Sequence, residues 1–316
     1  MQEDDKTPLD WDLPVESLFE RIFKKPIRSL IYPLYLNIRS EILKKKYGGL
    51  IPNSLKINLF IYGTRGLEYQ ILRKLLNRYS PLKNKSILIA GCGTGRDIPS
   101  WLKYSPEKLF CIDFYSYKRS WDTILNYYKS NNTKIHFMQQ DLEHMENIPS
   151  DSLDIIGSDA VFEHLANLSA VLSECYRILK PDGILYANFG PLWRTWSGDH
   201  ISGFDGLGSG FNHLLLNEEN YKEYIKLFGD YTHNEHDGRT WIYSNMFSYL
   251  VAEEYIEKLE EQGFQQLHLS CSIDPGTIKF LKKYPIKTRL LLSKYKKSDL
   301  LIAGLTIIYK KPSLKV

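Results

Sequence analysis

The sequence predicts a doubly wound α/β fold, a mostly parallel seven-stranded sheet with helices on both faces. Two observations predict it. From Ser86 onward, short apolar runs of strand length alternate with amphipathic stretches of helix length, the rhythm of a parallel sheet. The first of these runs, "SILIA", passes directly into the glycine cluster "GCGTG", a strand entering a tight turn ahead of a helix.

The elements follow in order. Residues 1–80 read as a mostly helical N-terminal extension or cap, broken at its prolines and at Gly48-Gly49, with helical apolar spacing in "GLEYQILRKLLNRYS". The main domain, 81–316, then pairs "SILIA" with the helix "RDIPSWLKY" and "KLFCIDF" with "YKRSWDTILNYYKS". "KIHFMQQ" leads to a polar connection, and "LDIIGSD" to the helix "NLSAVLSECYRIL". "KPDG", Lys180 to Gly183, reads as a turn before the fifth strand, "GILYANF". After Phe189 the rhythm stops, and residues 191–245, rich in glycine, tryptophan and histidine, form a lid or substrate insertion. A loop this long with so many aromatics is expected to be functional. A helix in "SNMFSYLVAEEYIEKLEEQG", the strand "FQQLHLSCSI", a basic helical insertion and the strand "LLIAGLTIIYKK" complete the chain.

Composition bounds the partners. The 316 residues are 43% hydrophobic and 25% charged, which allows a large core, and a net charge of +4 supplies no strong field for nucleic acid. Cys92, Cys111, Cys175 and Cys271 are far apart and suit reduced thiols in a core. The acidic, polar start is unlike a signal peptide, and no apolar run reaches the ~20 residues of a membrane helix, so a cytoplasmic protein is expected. Residues 23–46 mix apolar and basic side chains and are read either as a membrane-surface contact or as core packing or a substrate cap, with Pro26 and Pro33 interrupting any long helix.

Gly91, Gly93 and Gly95 fall as G-x-G-x-G, with Arg96 where the dinucleotide fingerprint has its last glycine, and no phosphate-cradling lysine loop is present. Asp113 ends the second strand about twenty residues on, where a carboxylate can accept from ribose hydroxyls. Asp141-Leu142 follows the third strand. Taken with "RILKPDGILYANF", these features resemble the class I S-adenosylmethionine-dependent methyltransferases, over roughly residues 80–190 by motif and to the C-terminus by order of elements.

The resemblance implies S-adenosylmethionine as cofactor. Gly91, Cys92, Gly93 and Gly95 would pass under its methionine portion, Asp113 would hold the ribose, and Phe114 would lie against the adenine. Asp141 would accept from the adenine amino group, the Leu142 N–H would reach a ring nitrogen, and Ser158-Asp159 would lie beside the sulfonium. Many members carry an acidic residue two positions before the first glycine; here Ile89 stands there, leaving Asp97 and Asp159 as partners for the cofactor's amino group.

The implied reaction is methyl transfer to an oxygen, hydroxyl or carboxyl, of a small-molecule metabolite. An alcohol must lose a proton as it attacks, so a base is sought in the loop after the fifth strand. Asp199-His200 is the first candidate and His213 a second, with the segment resembling the "PLW…GHH" type of some small-molecule members. Trp193, Trp196, Phe204 and Phe211 would wall the acceptor pocket. Glu163-His164 reads as hydrogen bonding at a helix start. His233, His236 and Asp237, even with His200 and His213, match no strong zinc spacing, and no metal is expected. "SDAVFE" after the fourth strand lacks the Asn/Asp-Pro-Pro-aromatic loop of base N-methylation. Transfer to nitrogen or carbon, a protein or RNA acceptor, and a cofactor-binding protein without catalysis remain the alternatives.

Overall fold

A computed structural model describes residues 58–60, 67–95, 97–228 and 239–313. The 23–46 segment and the His233, His236 and Asp237 cluster lie outside these residues. Among the described residues no helix is long and apolar enough to cross a membrane.

The sheet holds the seven predicted strands: β2 (Ser86–Ala90), β3 (Lys108–Asp113), β4 (Lys134–Gln139), β5 (Leu153–Asp159), β6 (Leu179–Phe189), β7 (Gln265–Ile273) and β8 (Ile302–Lys310). An eighth, β1 (Asn58–Phe60), pairs in parallel with β7 at one edge, within a stretch the apolar spacing had marked as mostly helical. The order is β1-β7-β8-β6-β5-β2-β3-β4, with only β8 antiparallel to its neighbours. The chain runs outward from β2 through β3 to β4, then returns to β5 on the other side of β2. The two centre strands are therefore the switch point of the winding, where connections leave in opposite directions and open a crevice at the strands' carboxyl ends.

Alternation along β2 shows why the sheet is covered twice. Ile87 and Ile89 enter one apolar cluster with Leu109, Cys111 and Trp101, while Leu88 and Ala90 enter the other with Ile112, Ile156 and Leu185. The first face is covered by α1 (Leu67–Tyr79), α2 (Ile98–Leu102) and α3 (Lys118–Tyr127), the second by α4 (Leu168–Ile178) and, further along the chain, α8 (Ala252–Glu261).

"KPDG" does not separate helix from strand. β6 begins at Leu179, and the four residues bulge out of it between the pairings Leu153–Leu179 and Ile155–Ile184. After β6 come the short helices α5 (Asn212–Leu215), α6 (Glu218–Phe228) and α7 (Arg239–Tyr243). The basic insertion is α9 (Pro275–Lys283), α10 (Pro285–Leu292) and α11 (Lys297–Leu301), broken where Pro285 starts a new helix. Phe211 joins Phe280, Leu291 and Leu300 in a small core that seats the first insertion on the second.

Candidate active site

The glycine turn lies at the head of β2, facing the turn after β5. Gly91 has φ +73°, and a side chain there would overlap the Val161 methyls just past β5. Gly93, at φ +50°, differs: a Cβ on it would meet nothing within 4 Å, so the bare backbone borders open space. That turn is braced from both sides, because Gly93 donates its N–H to Asp113 Oδ2 (2.7 Å) and its carbonyl accepts from Trp121 Nε1 (2.8 Å). Gly91 and Cys92 both donate to the Ile112 carbonyl, and Gly95 closes the turn on the Cys92 carbonyl (2.8 Å). Cys92 is buried, and burial pushes its thiol well up, so it lines the turn as a neutral group.

Asp113 Oδ1 accepts from the Tyr115 N–H (3.0 Å), which holds the carboxylate at the rim of β3. Phe114 is 53% exposed, a large apolar face left beside that rim. Asp141 Oδ1 accepts from the Glu143 N–H in a turn, and the Leu142 side chain is buried in the core, so both sit at the end of β4. Ser158 Oγ donates to the Ala90 carbonyl (3.0 Å), tying the end of β5 to the end of β2. Thus the tips of β2, β3, β4 and β5 share one edge of the crevice.

Asp97 and Asp159 are engaged elsewhere. Arg73 of α1, with no exposed surface, reaches under the turn and pairs through Nη2 with both carboxylates, at 3.3 Å for Asp97. Tyr186 OH donates to Asp159 Oδ1 (2.6 Å), Trp101 Nε1 donates to Asp97 Oδ2 (2.8 Å), and the guanidinium lies 3.6 Å from the Trp101 ring centre. Burial opposes the charge on Arg73, but the facing charges outweigh it and raise its pKa. Asp97 and Asp159, expected to meet the cofactor's amino group, thus carry this ion pair: Asp97 Oδ2 accepts from Arg73 and Trp101, and Asp159 from Arg73 and Tyr186. Nothing in "LRKLL" announced this role, because the partners lie 24 and 86 residues away.

The predicted Asp199-His200 pair is also separated. Asp199 is fully buried and accepts from the Ile201 and Ser202 N–H groups, Ser202 Oγ and Tyr221 OH, which makes it the knot of its loop. His213 is sealed beside it, with Nε2 donating to the Trp193 carbonyl (2.7 Å) and Nδ1 on Ser202 Oγ (2.9 Å), and burial lowers its pKa. Neither side chain has exposed surface, so the acceptor base expected of them is not presented to the crevice. Phe211 is core, and Trp196 covers Gly203 and Gly210 with its Nε1 on the Leu207 carbonyl, so both pack the insertion down rather than wall a pocket. Phe204 is 59% exposed.

His200 instead points to Glu163 and His164. One ligating atom from each of the three lies within 4.8 Å of the others, and the two imidazole rings are 4.8 Å apart. Trp241 and Phe247 stand against both rings, and Trp193 stacks at an angle on Phe247 (4.9 Å), so Trp193 is the predicted pocket residue that remains near this cluster. His200 has φ +63°, a conformation that costs a non-glycine residue about 1 kcal/mol. Burial pushes the Glu163 carboxyl up to about 8, and pulls His164 down to about 4. Glu163 Oε1 accepts from the Gly190 N–H (3.1 Å), bridging the ends of β5 and β6, and Val161 two residues earlier packs on Gly91. The cluster therefore adjoins the glycine turn.

A methyltransferase domain model matches residues 88–187, which span the glycine turn, the tips of β3 to β5 and most of β6. Over this stretch the chain is similar to the methyltransferase domain family. The ubiquinone biosynthesis O-methyltransferase of Rickettsia prowazekii is 31% identical over 119 residues, covering 37% of this chain and 44% of that protein. A malonyl-(acyl-carrier protein) O-methyltransferase of Bacillus cereus is 28% identical over 155 residues, covering 48% and 54%, and one of Yersinia pestis is 27% identical over 128 residues, covering 37% and 45%. The chain spans about half the length of the curated relatives it matches. The crevice fits the S-adenosylmethionine that the sequence resemblance implies: open space over Gly93, a carboxylate at the β3 tip and an uncovered phenyl face beside it.

Proposed function

We propose that the protein transfers a methyl group from S-adenosylmethionine to a hydroxyl oxygen of a small molecule. The observation that carries this reading is the adjacency of two sites: the braced glycine turn at the switch point, and the Glu163–His164–His200 cluster joined to it through Val161. The cofactor, when bound, supplies a methyl group on a positively charged sulfur. The chain's own residues do the rest. Gly93 leaves room for the methionine portion, Asp113 accepts from the ribose hydroxyls, and Phe114 covers the purine. Trp193, Trp241 and Phe247 keep water from the acceptor, and the cluster takes charge of the proton that the hydroxyl must lose.

A carboxylate acceptor would need alignment alone, so a buried group of one carboxyl and two imidazoles favours a hydroxyl. The names of the matched relatives, which are O-methyltransferases, support oxygen. Four free, buried cysteines suit a reducing, cytoplasmic setting. The test is a labelled-methyl assay over phenols, alcohols, carboxylic acids, amines, peptides and RNA. Label in phenols or alcohols is expected, and label confined to amines, peptides or RNA would refute the reading.

A further inference from the structure

The Glu163–His164–His200 cluster has a property that a lone base does not require: it is a ligand set. His164 shows this best. Its Nδ1 lies 2.9 Å from the Met246 carbonyl, which can only accept, so Nδ1 carries the proton and Nε2 carries the lone pair. A backbone carbonyl on one ring nitrogen and a free pair on the other is the arrangement by which proteins aim an imidazole at a metal. Glu163 is equally committed. Its Oε1 is held by the Gly190 N–H, its backbone carbonyl by the Ser248 N–H, and its Oε2 is buried with no hydrogen-bond partner among the described residues. A buried carboxyl oxygen without a hydrogen bond is costly whether or not it carries a proton, and a ligand that meets it removes that cost. His200 arrives from the insertion after β6 and completes the group.

We propose that Glu163, His164 and His200 hold a first-row divalent cation whose open position receives the acceptor's hydroxyl. Two imidazole nitrogens and one carboxylate oxygen are the donors of open, reactive zinc and iron sites, and are unlike the all-oxygen shells of magnesium or calcium. The ligand atoms, within 4.8 Å of one another, need to draw in to the roughly 3.4 Å edge of a tetrahedron with bonds of about 2.1 Å. Three protein ligands leave one position vacant, and the Trp241 and Phe247 rings stand against the two imidazoles.

This inference rests on the methyl-transfer reading and gives the cluster its role there. A hydroxyl in the open position has its O–H bond polarised by the cation, and the proton leaves to solvent. The oxygen's electron pair then forms the new C–O bond as the S–CH3 bond breaks, its pair staying on sulfur. His200 would act through the cation and not as a free base.

The experiment uses the full chain, stripped with a chelator and dialysed, then titrated calorimetrically with zinc chloride and, in parallel, with cobalt(II) followed by its visible absorption. One cation per chain is expected, with cobalt bands of a low-symmetry nitrogen–oxygen site. Glu163→Gln keeps the side chain's shape and its acceptor for Gly190. His200→Asn places a residue that tolerates the left-handed backbone at that position. Each variant is expected to lose more than about 100-fold in affinity, since even outer partners of a metal ligand are worth about 10–100-fold. Circular dichroism checks that both remain folded. Equal affinity in wild type and folded variants, or full turnover of the stripped enzyme in chelator, would overturn the proposal. Separate titration with S-adenosylmethionine tells the two readings apart: a chain that binds it but takes up no cation loses only this inference, and one that takes up the cation but not the cofactor loses the methyl-transfer reading.

Discussion

Two buried polar groups flank the glycine turn, and they are built on opposite terms. Beneath it, Arg73 faces Asp97 and Asp159, with Tyr186 and Trp101 donating to the same carboxylates. Beside it, Glu163, His164 and His200 converge, with one Glu163 oxygen that finds no hydrogen bond among the described residues. The first group sets charge against charge across α1, the start of α2 and the ends of β5 and β6, so it clasps the frame. Among the described residues the second shows no counter-charge to Glu163, and burial suppresses ionisation of both Glu163 and His164. The difference is one of charge: Arg73 is faced by two carboxylates, although its Nε and Nη1 find no hydrogen bond among the described residues, whereas no cation among those residues faces Glu163.

Breaking the clasp has the largest expected effect. Arg73→Met leaves two buried carboxylates without their cation and should cost about 3–5 kcal/mol in denaturant unfolding. Adding Asp159→Asn to the same chain should restore part of that loss. A cost under about 1 kcal/mol would mean that Arg73 does not hold the frame, and the contrast between the two groups would fail.

A pH series sharpens the other side. Glu163 has its pKa raised on folding, from 4.5 to about 8, so its contribution to stability is lost as pH rises toward 8. His164 has its pKa lowered, from 6.5 to about 4, so its contribution is lost as pH falls below 6.5. The two oppose each other between pH 4.5 and 6.5. Between pH 6.5 and 8 Glu163 acts alone of the pair, and the chelated protein should lose about 2 kcal/mol at roughly 1.4 kcal/mol per pH unit. Glu163→Gln should flatten that slope in thermal melts; an unchanged slope would place its cause elsewhere.

The smallest effect concerns the rim. Phe114 is half uncovered, so Phe114→Ala should leave stability within about 0.5 kcal/mol. If its ring covers the purine, the same change should weaken S-adenosylmethionine by about tenfold, in line with the ~1–3 kcal/mol of a base stacked on an aromatic side chain. Calorimetry showing full affinity would remove Phe114 from the cofactor site.

What the sequence disclosed was local. Apolar runs at strand spacing marked all seven long strands, and the conformations of Gly91 and Gly93 are ones that a G-x-G spacing signals at a strand-to-helix turn. Partnerships across the fold stayed hidden. Arg73 stands three residues before buried Leu76 on α1, a spacing that puts both on one helix face and is a sign that it points inward. Asp199 and His200 were read together because they are adjacent, yet the left-handed backbone at His200 sends them to different neighbours. Glu163-His164 was legible as a pair but not as two thirds of a cluster, because His200 comes from 36 positions further along and meets it only when the insertion folds back. The short strand β1 escaped because three residues carry no periodicity.

The crevice between β2 and β5 is the proposed seat of the cofactor, and calorimetric titration of the full chain with S-adenosylmethionine tests that most directly, in wild type and in Asp113→Ala. Saturable binding at one site, greatly weakened in a folded Asp113→Ala variant, is the predicted result. No heat of binding from the folded wild-type chain, or identical isotherms for the two proteins, would contradict it.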